Sequence, residues 1–304
     1  MKAVRMHEQG GADGLIVEEA PYPRLAQNEV MVRVHAAGFT YTELSWPSTW
    51  TDRAGRDRTP IIPGHEVSGE VVELGPGASG LTVGQRVFGL TDWYRDGALA
   101  DFVAVEARNL APLPASIGHV PAAALSLAGL TAWQALHDHA RLQPGQTLLI
   151  HGAGGAVGTL AVQIARNAGA RIIGTGRERD RATALETGAE LFVDLETVRF
   201  EDAVRQADVV LDLIGGEILE RSVAVVAPGG TLVSVVAPPK IRPADGHAIY
   251  FIVEPNRDQL AHLARMAQSG RLVPPVGAVR PLTETRGAFL NKERIQGKTV
   301  IQAS

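Results

Sequence analysis

The stretch "LLIHGAGGAVGTLAVQIA", Leu148 to Ala165, decides the fold. A short apolar run leads into four glycines, Gly152, Gly154, Gly155 and Gly158, and these lead into a segment of helical period. A strand, a phosphate-binding turn and a helix require that order. Gly152 permits a tight turn, Gly155 lets the backbone approach a pyrophosphate, and Gly158 lets the helix lie close to the sheet. The helix start, with Ala156 and Val157, offers unpaired N–H groups and the positive end of the helix dipole to an anion.

On the C-terminal side, "ARIIGTG", "ELFVD", "DVVLDLIG" and "GGTLVSVVA" are short apolar runs alternating with helical segments. Strand–helix alternation implies a parallel sheet covered on both faces. "RDQLAHLARMAQSG" reads as a last helix capped by Gly270, and "GKTVIQA" returns to strand character. On the N-terminal side, "NEVMVRVHAAG" and "HEVSGEVVELG" alternate apolar and polar residues, and "LGPGASGLTVGQ" supplies turn punctuation. That pattern predicts an antiparallel barrel or sandwich. Between the two regions, "IGHVPAAALSLAGLTAWQALHDHA" has helical spacing with Pro121 in its first turn. Its "HDH", His137 to His139, reads as a solvated helix end, because residues two apart on a helix cannot share a metal.

The 304 residues suffice for two domains. A net charge of −4 leaves no footprint for nucleic acid or an anionic membrane, which points to a small-molecule partner. There are no cysteines, so disulfides and thiolate zinc sites are excluded, and a reducing, cytoplasmic location is expected. "MKAVRMHEQG" lacks the apolar core of a secretory signal. The apolar windows Val120–Leu136 and Thr147–Ala165 are interrupted by polar residues and glycines, and read as buried core, not membrane spans.

The end of the second parallel strand bears on cofactor choice. NAD sites place an acid there for the ribose hydroxyls. Here the stretch is "IIGTGRERDR", with Gly176 at that place, Thr175 and Arg177 beside it, and Arg179 and Arg181 after. An arginine fork suits a 2′-phosphate that an acid would repel. The expectation is NADP(H), with Arg177 as the leading contact.

Five blocks, "VMVRVHAAGFTYTEL", "PGHEVSGEVVELG", "GQRVFGL", "AALSLAGLTAWQALHDHARLQPGQTLLIHGAGGAVG" and "GKTVI", together resemble the medium-chain dehydrogenase/reductases, in their zinc-free quinone oxidoreductase (zeta-crystallin-like) branch. The resemblance implies an α/β chain: a GroES-like β-barrel catalytic domain, residues 1–116 and 271–304, and a Rossmann NADP-binding domain, residues 117–270. It also carries a test for metal. Zinc-bearing relatives use two cysteines with the His-Glu pair, and those positions correspond here to Thr40 and Leu127. Only His65 and Glu66 remain, and Thr and Leu cannot replace thiolates at a tetrahedral site. No metal is expected.

Without a Lewis acid, the resemblance implies NADPH-dependent hydride delivery to a quinone or an α,β-unsaturated carbonyl, with hydrogen-bond donors and a proton source sufficing. "GFTYTEL" then lines the barrel side of the cleft: Thr40 would hold a carbonyl or the nicotinamide ribose, and Tyr41 would orient or protonate the substrate. The chain departs from the branch at Thr40, Glu43 and Leu195. Trp46, Trp50, Trp93 and Tyr94, with His65, would roof or floor a flat substrate. Cofactor contacts implied by the resemblance are Leu213 and Ile214, Val235, Val236 and Ala237, and Phe251, Ile252 and Val253. A homodimer paired near "AIYFIVE" is expected as well. Two alternatives stay open: a pathway-specific enoyl reductase, and a non-catalytic NADPH-binding protein.

Overall fold

The structure, a computed structural model, describes residues 1–290 and 295–303. The chain divides into two compact units: Met1–Leu127, Pro255–Ser269 and Pro274–Ser304 in the first, Ala128–Glu254 and Gly270–Val273 in the second.

The first unit opens with a small antiparallel pair, β1 (Lys2–Arg5) and β2 (Ile16–Glu19). Its main sheet has seven strands: β3 (Glu29–Gly38), β4 (Glu66–Leu74), β5 (Arg86–Leu90), β6 (Phe102–Glu106), β7 (Leu110–Pro112), β14 (Val276–Pro281) and β15 (Lys298–Gln302). The order is β14-β15-β3-β4-β5-β7, with β6 also on β3, and every pairing but β14–β15 is antiparallel. The alternation read from the sequence survives where one face meets the core: Val30, Val32, Val34, Val67, Val71 and Val87 are buried together.

The second unit holds a six-stranded, wholly parallel sheet: β8 (Thr147–His151), β9 (Arg171–Gly176), β10 (Leu191–Asp194), β11 (Ala207–Asp212), β12 (Val226–Ser234) and β13 (Gly246–Tyr250). The order β10-β9-β8-β11-β12-β13 reverses direction between β8 and β11, the switch point at which doubly wound sheets bind ligands beyond their carboxyl ends. Leu148, Leu149, Ile150, Val210 and Leu211 are fully buried, as strands covered on both faces must be.

Three details differ from the sequence reading. Helix Arg257–Gln268 groups with the first unit, because the Arg257 guanidinium donates to the carbonyls of Leu110, at 2.8 Å, and Ala107. A further helix, Thr285–Leu290, follows it. The "HDH" end is a π-helical turn, Gln134–His139, whose imidazoles stack on rings: His137 lies 4.1 Å from Trp133 and His139 4.2 Å from Phe251.

Candidate active site

In the first unit, the loop after β3 and the turn before β4 are tied by one buried carboxylate. Glu43 is 1% exposed, and it accepts the Thr40 N–H at 2.9 Å and the Gly64 N–H at 2.6 Å. Burial outweighs those bonds and raises its pKa to about 7. The spacing Thr40-Tyr41-Thr42-Glu43 is that of a capping box, a signal that would have singled out Glu43. Tyr41 is exposed, edge-on to Phe39 at 5.2 Å, and its hydroxyl lies 3.3 Å from Thr299 Oγ1.

The His-Glu pair is committed on both sides. His65 Nδ1 bonds Thr91 Oγ1 at 2.8 Å, while Nε2 is buried without a hydrogen-bond partner. Burial lowers the His65 pKa to about 3, so the ring is neutral. Glu66, also buried, forms an ion pair with Lys298 of β15. Burial pushes its pKa up, against the pull of that ammonium. Sequence reasoning missed Lys298, though a lone cation in the apolar "GKTVIQA" was its signal.

The aromatic loops separate. Trp93 stands edge-on to His65 at 5.0 Å and to Trp46 at 5.7 Å, so these three form one cluster. Tyr94 lies under the Arg53 guanidinium at 5.0 Å. Trp50 is not a pocket wall: it is 4% exposed, packs in the core and donates its indole N–H to Leu44 O at 2.9 Å. A Trp with its polar handle satisfied internally is an anchor.

In the second unit, the predicted cofactor residues fall on loops at the carboxyl edge of the parallel sheet. Gly152 has φ +86°, and a methyl group on Gly158 would meet Gly152 O at 2.1 Å, so turn and helix fit only as glycine. At Gly155 the nearest atom to such a methyl is 3.4 Å away, which leaves that face of the turn open. Helix Ala156–Asn167 starts there. Thr175 is fully buried; its side chain bonds His151 at 2.8 Å and is a strut, not a ligand contact. Past Gly176, Arg177 is exposed with Glu196 3.4 Å from its Nε. Arg181 is engaged by Glu178 at 2.7 Å, and Arg179 is exposed beside them.

Leu213 and Ile214 follow β11, Val235 to Ala237 follow β12, and Phe251 to Val253 follow β13. Three of these are apolar and exposed: Ile214 at 42%, Val236 at 48% and Ile252 at 65%. Phe251 instead is buried against His139. The sequence reading missed His151, Asp212 and Ser234, each fully buried at a strand end beside these loops.

Residues 26–115 match the family described as Alcohol dehydrogenase GroES-like domain, and residues 187–301 match Zinc-binding dehydrogenase. A 2-methylene-furan-3-one reductase of Solanum lycopersicum is 30% identical over 322 residues, covering 99% of this chain and 79% of that protein. The chain belongs to the medium-chain dehydrogenase/reductase superfamily. The quinone oxidoreductase structure from Coxiella burnetii superposes with a TM-score of 0.91 at 27% identity, covering 100% of this chain and 99% of that one. A phenolphthiocerol/phthiocerol polyketide synthase of Mycobacterium tuberculosis is 34% identical over 77% of this chain, which spans only 11% of that protein. This medium-chain dehydrogenase/reductase is thus an oxidoreductase whose fold serves a nicotinamide cofactor.

The second family description names zinc, so the donor set matters. This superfamily member has no cysteine, so no thiolate can join His65 and Glu66, and Lys298 is paired with that Glu66 carboxylate. Among the described residues no three His, Asp or Glu side chains are grouped to hold a metal. These residues do not fit a tetrahedral zinc site.

Proposed function

We propose that this chain is a zinc-independent, NADPH-dependent reductase of quinones or α,β-unsaturated carbonyls. The observation that carries this reading is the Glu66–Lys298 ion pair, which ties the last carboxylate of the His-Glu motif to a cation of the chain itself. Alkoxide chemistry at a Lewis acid has no donor set here, whereas a conjugated acceptor spreads its negative charge and needs only hydrogen-bond donors. The bound nicotinamide would supply the hydride.

The chain's own residues would do the rest. The open face at Gly155 would take the pyrophosphate, and Arg177 would take the 2′-phosphate in place of its Glu196 contact. The exposed Ile214, Val236 and Ile252 offer apolar surface for the nicotinamide half or a neighbouring protomer. Thr40 would hold the substrate oxygen, and the exposed Tyr41 hydroxyl would return the proton. Trp46 and Trp93 would bound a flat ring, with the buried, neutral His65 packed behind them.

A narrower reading, an enoyl reductase serving one product, is favoured by the similarity to a segment of the polyketide synthase. The homodimer is part of the same proposal. Strand β13 lies at the edge of its sheet with Tyr250 exposed at its end and Ile252 exposed just beyond it, so two copies would pair there, in the cytoplasm. Among the described residues no helix is long and apolar enough to cross a membrane.

The test is a panel of quinones, enones, enoyl thioesters and alcohols, assayed with NADPH and with NADH. NADPH oxidation by quinones or enones is expected. Alcohol oxidation stimulated by added zinc, or no turnover with any acceptor, would overturn the reading. Tyr41→Phe should lower turnover; unchanged turnover would remove its role as proton donor.

A further inference from the structure

Asp212 is the last residue of β11, 0% exposed, and pairs in register with Ser234, the last residue of β12. Its Oδ1 accepts the N–H of Ile214 at 3.2 Å and of Gly215 at 2.9 Å. Its Oδ2 accepts the Gly215 N–H at 3.1 Å and the Ser234 hydroxyl at 2.9 Å. Ser234 Oγ in turn accepts the N–H groups of Val236, at 3.2 Å, and Ala237, at 3.4 Å. Two touching side chains therefore hold four backbone donors from two separate loops.

The loops also meet directly. Gly215 has φ +76°, and a methyl group there would fall 2.7 Å from Val236 Cγ1, so only glycine lets them close this far. The products of this arrangement are two apolar side chains, Ile214 and Val236, held out at the carboxyl edge with 42% and 48% of their surface exposed. Holding apolar groups in water does nothing for folding, whereas holding them still serves a ligand.

We propose that Asp212 and Ser234 form a clasp that positions the two loops for the nicotinamide half of the cofactor. They are positioning residues, acting through Ile214 and Val236 without touching the reacting atoms. The inference rests on the reading that a nicotinamide dinucleotide lies along this edge. The adenosine half belongs to the Gly152 turn and Arg177, which are bound by neither residue.

The experiment compares binding of NADPH with binding of adenosine 2′,5′-diphosphate, which lacks the nicotinamide half. Asp212→Asn keeps the size and loses a charged acceptor, and Ser234→Ala removes the bridge between loops. Each variant should weaken NADPH roughly tenfold or more and leave the diphosphate within about twofold. The double variant should lose less than the product of the two single effects, because both break one network. Equal weakening of both ligands would reduce the pair to general scaffolding and overturn the clasp, as would no weakening of either. If the unmodified protein binds neither ligand, the cofactor reading falls and the clasp with it. Should Asp212→Asn fail to fold, the Ser234→Ala split decides alone.

Discussion

Replacing His151 should remove a defined share of this protein's acid sensitivity. His151 is fully buried at the end of β8, with Nδ1 on Thr175 Oγ1 at 2.8 Å and Nε2 on Ser222 Oγ at 3.0 Å. Burial holds its pKa down at about 3, against 6.5 for an unperturbed imidazole. A depressed value means that the fold binds the proton less well than the unfolded chain does. The contribution is therefore complete above pH 6.5 and disappears as pH falls towards 3. Between about pH 7 and about pH 4.5, the unfolded chain takes up most of a proton here and the fold almost none, a loss on the order of 2–3 kcal/mol. Urea unfolding at the two pH values, followed by circular dichroism, measures it. His151→Gln should cost about 1–3 kcal/mol at neutral pH, since Thr175 and Ser222 lose a partner. Its further loss on acidification should be smaller than that of the parent by about 2–3 kcal/mol. An identical acid-induced loss in parent and variant would refute the reasoning, whatever the neutral-pH cost.

Gly155→Ala and Gly158→Ala should behave differently. At Gly158 the added methyl meets backbone at 2.1 Å, so stability should drop by about 1–3 kcal/mol together with dinucleotide affinity; at Gly155, with nothing nearer than 3.4 Å, thermal stability should hold while affinity alone falls. Lys298→Met leaves Glu66 as a buried carboxylate without its cation and should cost about 3 kcal/mol; adding Glu66→Gln should recover most of it, and a Lys298→Met chain as stable as the parent would contradict the assigned pair. Arg177→Ala should weaken NADPH about tenfold or more and NADH by less than about twofold, read from binding titrations; equal losses would show that the guanidinium does not serve a 2′-phosphate.

The parallel sheet was legible because β8, β9, β10 and β11 each carry a short apolar run, and its first turn is spelled in glycines with distinct steric duties. The barrel was legible from alternation, which a half-buried strand imposes. What escaped was tertiary pairing. Nothing local marks Lys298 as the partner of Glu66, more than two hundred positions earlier, or Trp50 as core while Trp46 and Trp93 gather at His65. The helix Arg257–Gln268 groups with the barrel unit, where its first guanidinium meets two carbonyls, a placement that periodicity cannot express.

One local signal was present and unread. The apolar runs "TLLIH", "RIIGT", "VVLD" and "TLVS" each finish on a polar residue, and in the fold these four residues stand side by side across the sheet. Thr175 pairs with His151, His151 with Asp212, and Asp212 with Ser234. All four are 0% exposed, in a layer where an unpartnered polar group would cost several kcal/mol. They satisfy one another instead, Thr175 with His151 and Asp212 with Ser234, at 2.8 and 2.9 Å. Replacing both members of a pair by apolar residues of like shape can be nearly neutral, so packing alone does not select them. The row costs stability that a purely hydrophobic edge would keep, and what it returns is rigidity in the loops beyond β8, β9, β11 and β12. Those are the loops that carry the proposed nucleotide-binding face. In this chain, a polar residue closing each of four parallel apolar runs marks the carboxyl edge of the sheet.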